Sequence, residues 1–266
     1  MKMLLIATLL AAAGGGPVFR TTPVPGLRRY VYQVTETVAG GPVHGYRTEF
    51  DLETSGGAIY AIVRKSAVLD GAWKPVEPDA PCRAAMHGDG TRLARVKLSP
   101  LTPETAKTLG ESFLAMCAPP GVFFPLTDIL NVAIIPISER FRARELRTVG
   151  QSLSYPGFEA AFDRSGVAIK ERSTGGEISL ESLDAERAVL DWKPALADLD
   201  LVEGANKPPV TLKGTEHFAF RVEVDRKTGA IRRAATTYDD LDMKVVGAPD
   251  SFPHVRISRS VTIEPR

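Results

Sequence analysis

Apolar and polar residues alternate with a period of two along most of the chain. Tyr46, Thr48, Phe50 and Leu52 share one side of a run whose other side carries Arg47, Glu49 and Asp51. Phe218, Phe220, Val222 and Val224 oppose His217, Arg221, Glu223 and Asp225, and Val255, Ile257, Val261 and Ile263 oppose Arg256, Ser258, Ser260 and Thr262. Side chains on a strand point alternately to opposite faces, so these runs read as strands with one dry and one wet face. That division is typical of antiparallel sheets.

Turn signals punctuate the runs: Gly40-Gly41, Ser55-Gly56-Gly57, Asp70-Gly71, Asp89-Gly90, Ser165-Gly166, Gly175-Gly176 and Thr228-Gly229. Glycine supplies the positive φ of tight hairpins. The pattern predicts strands near 27–38, 45–54, 58–69, 92–98, 157–163, 166–173, 176–183, 186–192, 215–226, 229–238, 241–247 and 253–264. The fold class expected is mainly β: a large curved antiparallel sheet, half-barrel or barrel-like, with one or two short helices.

One segment breaks the rhythm. Thr102-Pro103-Glu104 has the chemistry of a helix start, Leu109, Phe113, Leu114 and Met116 follow at helical spacing, and Pro119-Pro120-Gly121 stops the run. The most apolar stretch beyond the N-terminus comes next, from Val122-Phe123-Phe124 through Ile129-Leu130 to Val132-Ala133-Ile134-Ile135-Pro136-Ile137. Thr127 and Asp128 fit the cap of a short helix there. The stretch is either core filler under the sheet or an apolar cover over an open end, and it is too short to cross a bilayer, which takes roughly 20 residues. Charged residues at 138–150 and the loop-like 203–209 mark weak boundaries, but the later strands read as completing the earlier sheet.

Met1-Lys2-Met3, an uncharged run from Leu4 to Ala13 and then Gly14-Gly15-Gly16 form the pattern of a secretory signal cleaved after Ala13. The expected organisation is a signal at 1–13, a flexible segment at 14–26, and a single β-rich domain at 27–266 with a helical insertion at about 102–137. No cysteine lies near the cleavage region to carry a lipid anchor, so a soluble periplasmic or secreted bacterial protein is expected.

The chain has 266 residues and a formal net charge of +1. This is enough chain for a substantial core, and it carries no global basic footprint for nucleic acid. The two cysteines, Cys82 and Cys117, read in an oxidising compartment as one structural disulfide. It would close a loop of about 36 residues and contribute on the order of 3–4 kcal/mol.

Chemistry-bearing motifs are sparse. His44, His87, His217 and His254 show no zinc-binding spacing, and Gly150-Gln151-Ser152 lacks the second glycine and the setting of a nucleophile elbow. No phosphate loop or dinucleotide fingerprint occurs. Asp239-Asp240 and Asp242 are the densest acidic group; they read as a polar hairpin end rather than a calcium loop, which needs a longer series of oxygen ligands. Arg140, Arg142, Arg144 and Arg147 are partly interleaved with glutamates and read as a solvated face, with anionic lipid or glycan as the other possibility. Arg259 stands on an otherwise apolar strand side. It is either an inward charge facing a ligand headgroup or, the commoner use, a charge guarding an exposed strand edge. No catalytic residue, cofactor or metal site is assigned.

The hairpin Val224-Asp225-Arg226-Lys227-Thr228-Gly229-Ala230-Ile231 has the form strand–Asp–x–x–Thr–Gly–strand. With the export signal, the tethered helix and the apolar insertion, it resembles uncharacterised bacterial secreted or periplasmic β-rich proteins. More distantly, the chain is similar to half-barrel carriers of the lipoprotein-localisation type. The resemblance implies a curved antiparallel sheet whose concave side, with helices over it, shelters acyl chains.

Three functions follow as expectations. The first is non-catalytic binding of a lipid or other apolar or amphipathic ligand, with Phe123, Phe124, Leu130, Ile134, Phe218, Phe220 and Arg259 as the candidate contacts. The second is a structural or interaction module that binds another envelope protein. The third is a hydrolase with scattered catalytic residues.

Overall fold

The computed structural model describes residues 17–21, 24–38, 41, 43–55, 58–76, 83–87, 97–98, 128–129, 132–136, 138, 140–164, 167–194, 196–203, 210–249 and 254–266. In chain order its strands are β1 (Gly26–Val38), β2 (Val43–Ser55), β3 (Ala58–Asp70), β4 (Ala72–Val76), β5 (Arg83–His87), β6 (Lys97–Leu98), β7 (Ser152–Arg164), β8 (Val167–Leu183), β9 (Arg187–Pro194), β10 (Ala197–Glu203), β11 (Val210–Asp225), β12 (Ile231–Val245) and β13 (Val255–Pro265). All thirteen join one sheet, and every pairing is antiparallel. The expected mainly β, antiparallel class is the one observed.

The order across the sheet is a meander whose two chain halves meet in the middle. β9 and β10 run end to end along one side of β8 in a single register, with Pro194 opposite Gly176 and Ala197 opposite Ser173. From there the sheet proceeds through β11, β12, β13, β1, β2 and β3 to β5 and β6. β7 lies on the other side of β8, and β4 pairs with β3. The first and last strands are therefore central neighbours, with Val34 opposite Val261. β6 and β7, consecutive in sequence, lie at opposite margins. Their connection has to cross a face of the sheet, and strongly twisted sheets this wide curl rather than stay flat.

The face it crosses is the dry one. Ile129, Val132, Ile134, Ile135, Phe141 and Leu146 of this connection, the strap, are buried in the same core as Tyr32, Phe50, Leu180, Leu190 and Val222 of the sheet. The described strap residues include helical positions at 128–129 and 132–134 and a 3-10 turn at Ala143–Glu145. Of the two sequence readings of the apolar stretch, core filler is the one its described residues adopt.

Register explains the dry face. Leu180, Leu190, Val222, Ala234, Ile263, Tyr32, Thr48 and Ser66 lie opposite one another in successive strands. All eight are buried, forming one transverse row. At its polar end the Thr48 and Ser66 hydroxyls sit 3.3 Å apart, which satisfies two buried groups against each other.

Several sequence boundaries are corrected. Gly175-Gly176 is not a turn, because β8 runs through it for 17 residues. Gly175 has φ 128°, and a Cβ there would sit 2.3 Å from the Tyr155 carbonyl oxygen. The glycine marks a close strand approach rather than a chain reversal. The Asp239-Asp240 hairpin end is likewise absent: β12 is one strand of 15 residues with a register shift between Ala235 and Asp240. The extra residue at such a bulge breaks the two-residue period, so the sequence pattern splits where the strand does not. β4, β5 and β10 were not expected at all.

The N-terminal segment, expected to be flexible to residue 26, is anchored at 17–20. Val18 and Phe19 are buried in the core. Arg20 N–H donates to the Arg226 carbonyl at 2.9 Å, and Arg226 Nε donates to the Val18 carbonyl at 2.7 Å. Residues 1–16, the proposed helix at 102–117, and Cys82 and Cys117 lie outside the described residues.

Candidate functional site

A second transverse row runs beside the apolar one on the inner face, and it is polar. Phe218 of β11 pairs with Asp239 of β12, Arg259 of β13 pairs with Glu36 of β1, and Glu36 pairs with His44 of β2. Arg259 Nε lies 3.0 Å from Asp239 Oδ2, and Nη2 donates to Asp239 Oδ1 at 3.1 Å. Nη2 also donates to Glu216 of β11. The strap adds a further carboxyl: Tyr32 Oη donates to Asp128 Oδ2 at 2.6 Å.

These charges are largely withdrawn from water. The Arg259 side chain is 9% exposed, Glu216 15% and Asp239 1%. The sequence alternative of edge protection for Arg259 is thereby corrected, because β13 lies between β12 and β1 in the middle of the sheet. An even position on β1 and an odd one on β13 point to the same side, which places Arg259 on the inner face with Val261 and Ile263.

Four carboxyl groups, Glu36, Asp128, Glu216 and Asp239, thus surround one buried guanidinium. Burial disfavours the charged form of each acid and pushes all four upward, against the opposing pull of Arg259. Asp239 is pushed to about 7, helped by the neighbouring Glu216 and Asp128 carboxylates. Burial likewise holds the Tyr32 phenol well above its usual range, with Asp128 adding to the effect. Asp239 therefore remains partly protonated near neutral pH, where an exposed carboxyl would be ionised.

Beside the band stands an aromatic group. Phe141 of the strap meets Tyr155 edge-on with centroids 5.2 Å apart and Trp192 at 5.4 Å. Trp192 stacks on Phe220 at 5.8 Å and meets Phe218 edge-on at 5.5 Å. The Trp192 indole N–H donates to Tyr155 Oη at 2.9 Å, so the polar edge of this buried ring is satisfied. The group ties the strap to β7, β9 and β11. At the other end of the sheet a cleft of about 50 Å³ opens between Arg28, Tyr30, Leu52, Ala133, Thr228 and Ile231.

Of the sequence candidates, Phe218, Phe220, Ile134 and Arg259 share this interior. Phe220 and Ile134 are fully buried, and Phe218 is partly so. Phe123, Phe124 and Leu130 lie outside the described residues. Sequence reasoning missed Tyr32, Asp128, Glu216, Asp239 and Trp192 as site residues. Asp239 was hidden by the bulge, and Asp128 by its resemblance to a helix cap. The arginines read as a solvated face are partly engaged at home. Arg142 pairs with Glu145 at 2.7 Å and donates to the Ser154 carbonyl at 3.0 Å, and Arg140 lies over the Phe141 ring at 5.5 Å. His217 contacts Tyr238 at 4.6 Å between centroids, whereas His254 pairs with Asp242 at 2.6 Å.

Among the described residues no group of three or more His, Cys, Asp or Glu side chains is placed to hold a metal ion, and no helix is long and apolar enough to cross a membrane. The geometry defines an antiparallel β protein with an amphipathic interior. No protein-family model and no curated protein matches the chain. Among solved structures it is similar to lipovitellin, in a structure titled for lipid–protein interactions, with a TM-score of 0.45 and 10% identity. The match covers 93% of this chain and 25% of that one, so the chain spans about a quarter of the length of that neighbour.

Proposed function

We propose that this protein is an exported, soluble protein of the bacterial envelope that binds an apolar or amphipathic ligand on the inner face of its sheet without transforming it. The observation carrying this reading is the adjacency of two rows on one face: the dry row through Val222, Ile263 and Tyr32, and the polar band through Asp239, Arg259 and Glu36. An interior needed only for packing gains little from buried ions, because their desolvation offsets their attraction. A chain-bearing ligand laid over these rows would bury its apolar part at roughly 25 cal/mol per Å² and reach the band with its polar end. Ile129, Ile134 and Ile135 of the strap occupy that place, so binding entails their displacement.

Export rests on Met1–Ala13, and a disulfide between Cys82 and Cys117 would suit the oxidising destination. The test is secretion from a bacterial host, purification without detergent and native mass spectrometry. A bound mass that is lost on denaturation, on a chain beginning at Gly14, is the expected result. A bare protein that also fails to take up a fluorescent fatty-acid analogue would overturn the binding reading, and a chain retaining Met1 would overturn the export reading.

The filled interior favours a second reading, an interaction module of an envelope complex. Ile129, Ile134 and Ile135 then serve as permanent core. Among the described residues β7 pairs only with β8, which leaves a strand margin for a partner. Crosslinking in the envelope that returns no partner counts against it.

A further inference from the structure

One arginine of the inner face has no acid beside it. Arg28, Tyr30 and Tyr32 stand two residues apart on β1 and share its inner side. Arg259 on that face is held by Glu216 and Asp239. Arg29, next to Arg28 but on the outer side, is held by Asp51. Arg28 is half-buried and makes no ion pair among the described residues. Its Nη1 donates to Thr228 Oγ1 at 3.4 Å, longer than an ordinary N–H···O bond. The Thr228 hydroxyl in turn donates to Asp225 Oδ1 at 2.9 Å, and Asp225 Oδ2 accepts from Arg232 Nε and Nη2 at 3.1 and 2.8 Å. The carboxylate of this hairpin is thus committed elsewhere, and the Nε–Nη2 edge of Arg28 has no protein partner among the described residues.

The cleft of about 50 Å³ that Arg28 borders has apolar walls. Leu52 lies directly opposite Arg28 on β2, Ile59 of β3 and Ile231 of β12 line the cleft as well, and all three are buried. Tyr30 also lines it, but its hydroxyl already donates to the Ile231 carbonyl at 2.9 Å. We infer that this cleft is a binding site for a short-chain alkyl carboxylate, with the carboxylate on the Nε–Nη2 edge of Arg28 and the alkyl carbons against Leu52, Ile59 and Ile231. Two parallel N–H groups of a guanidinium match the two oxygens of a carboxylate. An inorganic anion meets the charge but gains nothing from the apolar walls, and an alcohol meets the walls but not the charge. One water-sized site takes roughly 10–15 Å³, so the cleft admits about three or four carbon atoms beside the half-buried guanidinium, and butyrate fills it. The cleft lies at the other end of the sheet from the polar band, and its filling does not require the inner rows to be uncovered.

The test is a titration of the isotope-labelled full chain with sodium butyrate at constant ionic strength, followed by NMR at the Arg28 Nε–H and at the methyl groups of Leu52, Ile59 and Ile231. A saturable shift of these resonances together is the expected result. Each enclosed methylene tightens binding about fourfold, so butyrate should bind on the order of tenfold tighter than acetate. Hexanoate and octanoate should gain little more, because the cleft is already full. Butan-1-ol, butylamine and sodium sulfate should each bind at least about tenfold more weakly than butyrate, since each lacks either the charge-assisted pair or the apolar contact. Arg28→Gln, read at the same methyl groups, should weaken butyrate by about tenfold or more. Absence of a saturable shift overturns the proposal. So does sulfate, butanol or butylamine matching butyrate, an affinity that keeps climbing to octanoate, or unchanged butyrate binding in Arg28→Gln. The chain-length and charge series is read on the wild type and decides the matter even where the variant does not fold.

Discussion

Arg259 Nε lies 3.0 Å from Asp239 Oδ2, with both side chains buried in the middle of a thirteen-stranded sheet. Asp239 is raised to about 7 mainly by burial, so the folded state holds this proton more tightly than the unfolded one. The stability it contributes is complete below the unfolded carboxyl range and fades as pH rises through about 7. A shift from near 4 to 7 corresponds to a loss on the order of 4 kcal/mol. Urea unfolding of the wild type should show a midpoint that falls between pH 5 and 8, and Asp239→Asn should flatten that fall. Arg259→Met leaves the acids without their countercharge and should cost about 3–5 kcal/mol at pH 7.

Asp51 has the opposite sign. Its buried carboxylate receives Arg29 Nε at 2.8 Å and Arg64 Nε at 2.6 Å, and these guanidinium hydrogen bonds hold it below the usual carboxylate range. Its contribution is present above the unfolded pKa and is lost as pH falls through the lowered folded value. Acid unfolding followed by circular dichroism should therefore begin at higher pH in Arg29→Gln/Arg64→Gln than in wild type. An unmoved acid midpoint would remove Asp51 from the acid limb.

Two glycines with positive φ separate conformational strain from steric blockage. At Gly71, φ is 69° and a Cβ would meet nothing within 4 Å, whereas at Gly175 it would meet the Tyr155 carbonyl at 2.3 Å. Gly71→Ala should cost about 1 kcal/mol, the conformational penalty alone. Gly175→Ala must also part β7 from β8 and should cost clearly more, with a larger drop in the urea midpoint. Equal losses would contradict this strand geometry.

Phe19 is fully buried, although it lies only a few residues beyond the expected cleavage point. Phe19→Ala should cost about 3–5 kcal/mol, measured by urea unfolding. Removal of residues 14–16 should leave stability nearly unchanged if the anchor begins at Val18. Arg226→Ala should loosen the same segment through loss of its bond to the Val18 carbonyl, read as faster exchange of the Arg20 amide.

The two-residue period by itself determined the β class, the antiparallel character of the sheet and the dry side of β2, β11 and β13. Alternation is a local property, because it follows from the direction of successive Cβ atoms. The turns at Gly71 and Thr228-Gly229 were legible for the same reason. Where geometry departs from the ideal strand, the signal failed: the bulge in β12 split one strand into two, and the paired glycines of β8 imitated a turn. Arg259 was visible as an anomaly on an apolar side, but its meaning was not.

Only the tertiary structure decided that β13 lies between β12 and β1, and this single fact turns Arg259 from an edge guard into the centre of a buried band. Pairing the two terminal strands also sends the β6–β7 connection across the inner face, which brings Asp128 to Tyr32 across 96 positions of sequence. A strand's faces are set by its own residues, whereas its neighbours are set by closure of the whole sheet, and a polar cluster drawn from β1, β11, β12, β13 and the strap exists only once that closure is made.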